Sequence, residues 1–484
     1  LLTVAPEISV PIRTPDGGSS ASIGLPVPSY VVVANRLPYS RAADGSWKLS
    51  PGGLVSAVLP SVVGRDAMWI GSHGDAEGMP ARRDGIRLVP VSVSADEQTG
   101  FYDGFSNGTL WPLYHDAVRP PCYDPAWWSD YEVVNRRFAE TTARHAPRGA
   151  LVWVHDYQLQ LVPAMLRALR PDVRIGYFHH IPFPNADLFR QIPWRCEIIS
   201  GLAGADIIGF QTAGDVTNFL GAASSLCDHT VSELSAERGE LRVGSRVVSV
   251  AAFPVPVDAA SFEARSREPR VHSRAAELRQ LLGGPRNLLL GVDRLDYTKG
   301  IDQRLAVVRS LFEGGVLVPG RDVFLQVAVP SRADANGYSE LRCEVERLVG
   351  DINGEFAGVG AAVVHYLHRS LDPEELTALY QAADVMIVTP FRDGMNLVAK
   401  EFIASRTTNS GALVLSEFAG AAAELAQAFL VNPHDLRSMA TAIEEALGRT
   451  SEAEESMRAM RANIADQSPK QWATDYFRLL EGSR

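Results

Sequence analysis

Short aliphatic runs recur along the chain, and helix-like segments alternate with them. YVVVAN (30–35), AMWIGS (67–72), ALVWVHD (150–156), RIGYFHHI (174–181), DIIGF (206–210) and RVVSVAAFPVPVD (246–258) form a first set. NLLLGVDRLD (287–296), DVFLQVAVP (322–330), AAVVHYLH (361–368), DVMIVTP (384–390), GALVLSEF (411–418) and AFLVN (428–432) form a second. Runs this continuous predict strands buried on both faces, and therefore parallel sheets covered by helices. Between them, YQLQLVPAMLRALR (157–170) and LDPEELTALYQAAD (371–384) carry apolar residues at helical spacing. The polar, Arg- and Glu-rich stretch 258–280 separates the two sets and reads as a linker helix. The pattern predicts an α/β protein of two doubly wound domains, 29–262 and 263–465. At 468–482, Trp472, Tyr476 and either Leu479 or Leu480 share one helical face, so the segment 466–484 should dock on something.

A chain of 484 residues is too long for one core, which agrees with two domains. The first 28 residues are rich in Pro, Gly and Ser and lack the basic-then-apolar order of a signal peptide, so they read as a mobile tail. A net charge of −11 argues against a general nucleic-acid or membrane binder, while leaving room for a local basic site. No apolar run reaches membrane-spanning length. The four cysteines are widely spaced and form no CxxC pair, so the expectation is no disulfide framework and a reducing cytoplasm. There is no D-x-D pair and no H-E-x-x-H, so no metal site is expected.

In doubly wound sheets ligands bind beyond the carboxyl ends of the strands, and charged residues gather there in this chain. TPFRDGMNLVAKEF (389–402) places Arg392, Asp393, Lys400 and Glu401 at an otherwise apolar strand–helix junction. With Asn396 starting the helix, the N–H groups of Leu397 and Val398 become unpaired first-turn donors, which is an anion site. GVDRLDYTKG (291–300) delivers Arg294 and Lys299 to the same edge, two cations able to hold a diphosphate. In the first domain Arg36 ends a strand, and Gly52 and Gly53 precede a helix. FYDGFSNGTLWPLYH (101–115) reads as a polar loop whose Tyr102, Trp111 and Tyr114 could wall a sugar site. His155 with Asp156, and His179 with His180, end two neighbouring strands; one histidine of each pair should be structural.

Taken together, the pieces ANRLP, GGL, FSNGTLWP, VWVHDYQL, FHHIPFP, GFQT, DRLDYTKG, TPFRDGMNLVAKEF and VLSEFAGAAAEL resemble the trehalose-6-phosphate synthase family over residues 30–480. The resemblance implies the glycosyltransferase-B arrangement, with a C-terminal helix crossing back to the first domain. It also implies transfer of glucose with retention from a nucleotide sugar to glucose 6-phosphate, without cofactor or metal. In that reading Arg294 and Lys299 grip the donor diphosphate, and Asp393 meets hydroxyls of the transferred glucose. The run Gly394, Met395, Asn396, Leu397, Val398, Ala399 and Lys400 lines the donor, and Glu401 holds the ribose. Gly52 and Gly53 close over the donor, with His180 on its glucose and Leu371 near the nucleotide base. Arg36, Tyr102 and Arg332 take the acceptor phosphate, Asp156 orients the acceptor sugar, and Trp111 shapes its pocket. The expected catalytic set is thus Arg294, Lys299, Asp393, His180 and Asp156.

The chain departs from the family where Ser72 or His73 replaces a common Trp, and where Leu371 stands in place of an aromatic. The nucleotide base, UDP or another, therefore stays open, as does a homo-oligomer beside the small-molecule substrates. Two other readings also remain open at this point: a related glucosyltransferase or phosphorylase with another acceptor, and a non-catalytic sugar-phosphate sensor.

Overall fold

The computed structural model describes residues 29–41, 46–50, 53–73, 79–330, 338–448 and 451–482; the tail 1–28, Gly52 and Arg332 lie outside them. The first part of the chain forms β1 (Tyr30–Arg36), β2 (Tyr39–Arg41), β3 (Trp47–Leu49), β4 (Ala67–Ser72), β5 (Arg82–Arg83) and β6 (Ile86–Val91). It continues with β7 (Leu151–His155), β8 (Arg174–Phe178), β9 (Ile207–Phe210), β10 (Thr230–Ser235), β11 (Arg238–Val243) and β12 (Arg246–Ala252). Apart from the β2–β3 hairpin these strands form a ten-stranded sheet, ordered β10-β11-β12-β9-β8-β7-β1-β4-β6-β5. The second part forms β13 (Asn287–Arg294), β14 (Asp322–Val329), β15 (Val364–Leu367), β16 (Val385–Val388), β17 (Ala412–Ser416) and β18 (Phe429–Val431). These six make a second sheet, ordered β15-β14-β13-β16-β17-β18.

Burial on both faces explains the aliphatic runs. Along β1, Val31 and Val33 enter one core while Val32 and Ala34 enter the core on the opposite face. Along β13, Leu288, Leu290 and Val292 face one layer of helices and Leu289 the other. Every pairing in the second sheet is parallel. Counted from β13, its order is the one found in dinucleotide-binding folds, with the winding reversing between β13 and β16. In the first sheet the winding reverses between β1 and β7. The chain is therefore an α/β protein of two Rossmann-like, doubly wound units, and each reversal opens a crevice at the strand ends.

Several elements differ from expectation. Strands β2, β3, β5, β6, β10 and β11 carry no continuous aliphatic run, because each exposes residues along its length; β10 is largely exposed. The predicted loop 101–115 is instead helical, as Gln98–Leu110 followed by Trp111–Tyr114. Gly104 shows why its composition misleads: a Cβ there would stand 2.5 Å from the Trp127 ring, so the glycine is a packing requirement of helix Pro125–His145 and not a turn signal.

The linker is two helices, Ala259–Ser266 and Pro269–Leu281, whose Ala259, Val271 and Ala275 join the core of the second sheet. A boundary at 262/263 cuts through the first of them, and we propose a division before Val257 instead. Contrary to the expectation of no bridge, Cys196 and Cys227 form a disulfide, their Cα atoms 5.5 Å apart. It links helix Arg195–Leu202 to the end of helix Ala213–Cys227. Spacing in sequence concealed a pair that helix packing brings together.

The last helix, Pro469–Gly482, lies against β7, β8 and helix Gly53–Val62. Trp472, Tyr476 and Leu480 are buried, which settles the choice between Leu479 and Leu480. Tyr476 donates its hydroxyl to the Tyr177 carbonyl at 2.8 Å, and the Trp472 indole N–H donates to the Phe253 carbonyl at 3.1 Å. Trp472→Ala should cost about 3 kcal/mol, the usual loss for truncating a buried aromatic. Denaturant unfolding followed by intrinsic fluorescence checks this; a loss below about 1 kcal/mol would mean that the helix contributes little to the first unit's stability.

Candidate active site

The crevice between β13 and β16 is built by two loops. β13 ends at Arg294, and Asp296 then caps a single turn, Tyr297–Lys299, by accepting from the Thr298 N–H at 3.1 Å. The turn presents Lys299 inward, where Nζ donates to Asp393 Oδ2 at 2.6 Å. Both side chains are largely buried, at 8% and 15% exposure. Beneath the pair lies Arg304, fully buried, which donates to Asp293 Oδ2 (2.5 Å), Gln326 Oε1 (2.9 Å) and Thr389 Oγ1 (3.2 Å). One guanidinium thus ties together β13, β14 and the residue after β16. Asp293 is spent on Arg304, so it does not neutralise Arg294. Arg294 is exposed, makes no ion pair among the described residues, and stands 5.5 Å from the Trp111 ring centroid.

The second loop carries the anion-binding backbone. Asn396, at φ 76°, caps helix Leu397–Ser405 by accepting from the Ala399 N–H at 3.1 Å and donates to Asp393 Oδ2 at 3.0 Å. The Leu397 and Val398 N–H groups have no acceptor among the described residues, as expected of a first helical turn. The Ala399 N–H is consumed by the cap, so Ala399 cannot serve a donor through it. Lys400 is a second correction: its buried ammonium donates to the Val255 carbonyl (3.1 Å) and Glu424 Oε1 (2.6 Å), fastening the helix. Met395 is buried and its carbonyl accepts from the Ala421 N–H at 2.7 Å. Glu401 accepts from the Tyr380 hydroxyl at 2.9 Å, and burial raises its carboxyl above the ordinary value. Leu371 is half-buried at the margin of the same core.

The first unit meets these loops closely. A Cβ on Gly394 would lie 2.2 Å from the His180 carbonyl oxygen, so only glycine lets the two backbones touch. Gly53, at the start of its helix, stands against Leu397, and Arg392 faces Asp116 at 3.6 Å. At the β1–β7 crevice, Arg36 lies over the Tyr102 ring, 5.0 Å from its centroid. Asp156, at φ 75°, accepts from the His180 N–H at 3.2 Å. The His180 ring pairs through Nε2 with His155 Nδ1 at 3.0 Å, and burial lowers its basicity to a pKa of about 3. His155 and His179 are fully buried, whereas Asp156 and His180 are half-buried.

The structure therefore gathers Arg294, Lys299, Asp393, Gly394, Leu397, Val398, Gly53 and His180 about the second crevice. Arg36, Tyr102 and Asp156 line the first, and Trp111 stands between the groups. Sequence reasoning passed over Arg304 and His115: one lies mid-helix and the other closes a segment read as a loop. The string GFSNG (104–108) has the spacing of a serine nucleophile motif. Ser106, however, is buried within a helix and donates to the Phe101 carbonyl at 2.8 Å, so it offers no nucleophile. Among the described residues no His, Cys, Asp and Glu cluster could hold a metal ion, and no helix is long and apolar enough to cross a membrane.

Residues 28–482 match the model of Glycosyltransferase family 20. Trehalose-6-phosphate synthase of Mycobacterium sp. (strain KMS) is 52% identical over 466 residues, 94% of this chain and 95% of that protein. The protein of the same description from Mycolicibacterium paratuberculosis is 50% identical over 485 residues, 97% and 99% of the two chains. Among solved structures, an α,α-trehalose-phosphate synthase (UDP-forming) from Burkholderia xenovorans in complex with glucose-6-phosphate superposes with a TM-score of 0.86. It is 32% identical, over 93% of this chain and 99% of that one. The E. coli protein bound with UDP-2-fluoro glucose gives 0.84 at 30% identity, over 93% and 98%.

The Lys299–Asp393 pair makes a prediction with a definite sign. Burial by itself would raise the Asp393 carboxyl, but the Lys299 charge and hydrogen bond, His115 and Asn396 outweigh it, and it lies below its ordinary 3.8. Its stabilisation is present above 3.8 and lost as pH falls through the lower folded value. In Lys299→Met, burial is left without its main offset and the carboxyl rises above the ordinary value. The variant should lose about 3–5 kcal/mol at neutral pH, and the deficit should shrink as acid protonates Asp393. Denaturant unfolding from pH 7 down to about 4 measures this; a deficit constant with pH would count against it.

Proposed function

The chain belongs to glycosyltransferase family 20, and on that premise we propose that it transfers glucose, with retention, from a nucleotide-glucose donor to glucose 6-phosphate. The products are α,α-trehalose 6-phosphate and a nucleoside diphosphate, the first step of trehalose synthesis. The observation that carries this reading is the convergence at the β13–β16 crevice of Arg294, Lys299 and the unspent N–H groups of Leu397 and Val398. Two cations and a helix N-terminus suit a diphosphate. The ligands recorded for the Burkholderia and E. coli relatives, glucose-6-phosphate and UDP-2-fluoro glucose, agree with such a pair of substrates.

Each residue then has a task. Gly394 to Val398 supply backbone against the donor, Gly52 and Gly53 close over it, Glu401 holds the ribose, and Leu371 stands near the base. Asp393 accepts from hydroxyls of the transferred glucose, with His180 on the same sugar. Arg36, Tyr102 and Arg332 hold the acceptor phosphate, Asp156 orients the acceptor, and Trp111 shapes the pocket between them.

The C1–O bond to the diphosphate breaks through an oxocarbenium-like transition state, and its electron pair leaves with the phosphate. The acceptor's anomeric hydroxyl bonds to C1 from the same face, and its proton passes to the departing phosphate oxygen. Arg294 and Lys299 stabilise the charge gathering there, so catalysis is chiefly positioning and electrostatics. Asp393 already accepts from Lys299 and Asn396, which suits holding hydroxyls better than attacking C1.

The deciding experiment offers UDP-, ADP- and GDP-glucose with glucose 6-phosphate and scores trehalose 6-phosphate. Product from at least one donor supports the reading, and none from any overturns it. Arg294→Ala should lower turnover about 100- to 1,000-fold while changing stability by less than about 0.5 kcal/mol, since the side chain is exposed and has no ion-pair partner among the described residues. Steady-state kinetics and thermal unfolding on the same preparation check both halves.

A further inference from the structure

His115 is fully buried at the end of the short helix Trp111–Tyr114. Its Nδ1 lies 2.8 Å from the Trp111 carbonyl, which can only accept, so Nδ1 carries the proton and Nε2 the lone pair. The ring packs on the Trp111 indole, 4.1 Å between centroids. Nε2 is buried and has no hydrogen-bond partner among the described residues. A buried acceptor left unpaired is costly, and a donor that arrives only in a working state would explain its retention.

The charged groups that act on His115 are Lys299, Asp296 and Asp393. Of these Lys299 alone can donate, and among the described residues its ammonium makes one hydrogen bond, to Asp393, which leaves two N–H vectors for other acceptors. Burial first, and then the Lys299 charge, lower the imidazole to a pKa of about 4, so at neutral pH the lone pair is available.

We propose that His115 is a positioning residue for glucosyl transfer: it props Trp111 and accepts a hydrogen bond at Nε2 from the Lys299 ammonium when donor is bound, aiming that ammonium at the leaving diphosphate. This rests on the function proposed above. Lys299 then divides its three hydrogens among Asp393, the diphosphate and His115. The acceptor-side tryptophan and the donor-side lysine are set by one ring.

His115→Phe keeps an aromatic ring against Trp111 and removes the lone pair. Turnover should fall about tenfold or more with KM for glucose 6-phosphate within about threefold of the parent, whereas a merely supporting role would leave kcat within about twofold and overturn the inference. If the Phe variant does not fold, Gln and Asn decide. Gln can place an oxygen where Nε2 stood and Asn cannot, so Gln should turn over about fivefold faster than Asn, and equal rates overturn the inference. A parent enzyme that forms no product from any donor overturns the proposed reaction instead. His115 is then tested by calorimetric affinity for UDP: about a fivefold loss in the Phe or Asn variant supports the inference, and unchanged affinity overturns it.

Discussion

The arrangement depends on placing opposite charges inside a crevice where water is scarce. Lys299 and Asp393 are largely buried, and neither would be stable there alone. Together they join the loop after β13 to the loop after β16, across the point where the winding of the sheet reverses. Arg304 repeats the device one layer deeper, joining both strand ends through Asp293, Gln326 and Thr389. A burial cost of several kcal/mol per ion is offset only when geometry is held closely, so these pairs fix the loops that carry Arg294 and the helix N–H groups.

A second constraint is steric. Backbone segments approach one another here with no side chain between them. Gly394 meets the His180 carbonyl, and a Cβ on Gly420 would stand 2.0 Å from the Gly394 carbonyl oxygen. These contacts stack the first unit, the donor loop and the segment after β17. The C-terminal helix holds the same first-unit strands from outside, through Tyr476 and Trp472. Site and scaffold therefore share backbone.

Much of the fold was legible. Twelve strands announced themselves as aliphatic runs: the six inner strands β12, β9, β8, β7, β1 and β4 of the first sheet and all six of the second, most of them buried on both faces. The outer strands of the first sheet were silent because only one face, or none, needs to be apolar. Gly100, Gly104 and Gly108 disguised a helix as a loop, because glycine demanded by a packing neighbour looks the same as glycine demanded by a turn. The disulfide escaped because two cysteines separated by 31 residues signal nothing until two helices pack.

For the candidate site, residue type and position relative to a strand end pointed to Arg294, Lys299, Asp393, Asn396 and the following N–H groups. What the sequence by itself determined is which groups stand at the strand ends, because burial demands aliphatic residues everywhere else along those strands. Only the tertiary structure decided how they divide the work. It spent Lys400 on Glu424 and Val255, gave Asp293 to Arg304, closed the Ala399 N–H with Asn396, and set His115 among charges it meets nowhere in sequence. Charge pairing and hydrogen bonding act over a few ångströms of space, and chain position does not encode that distance.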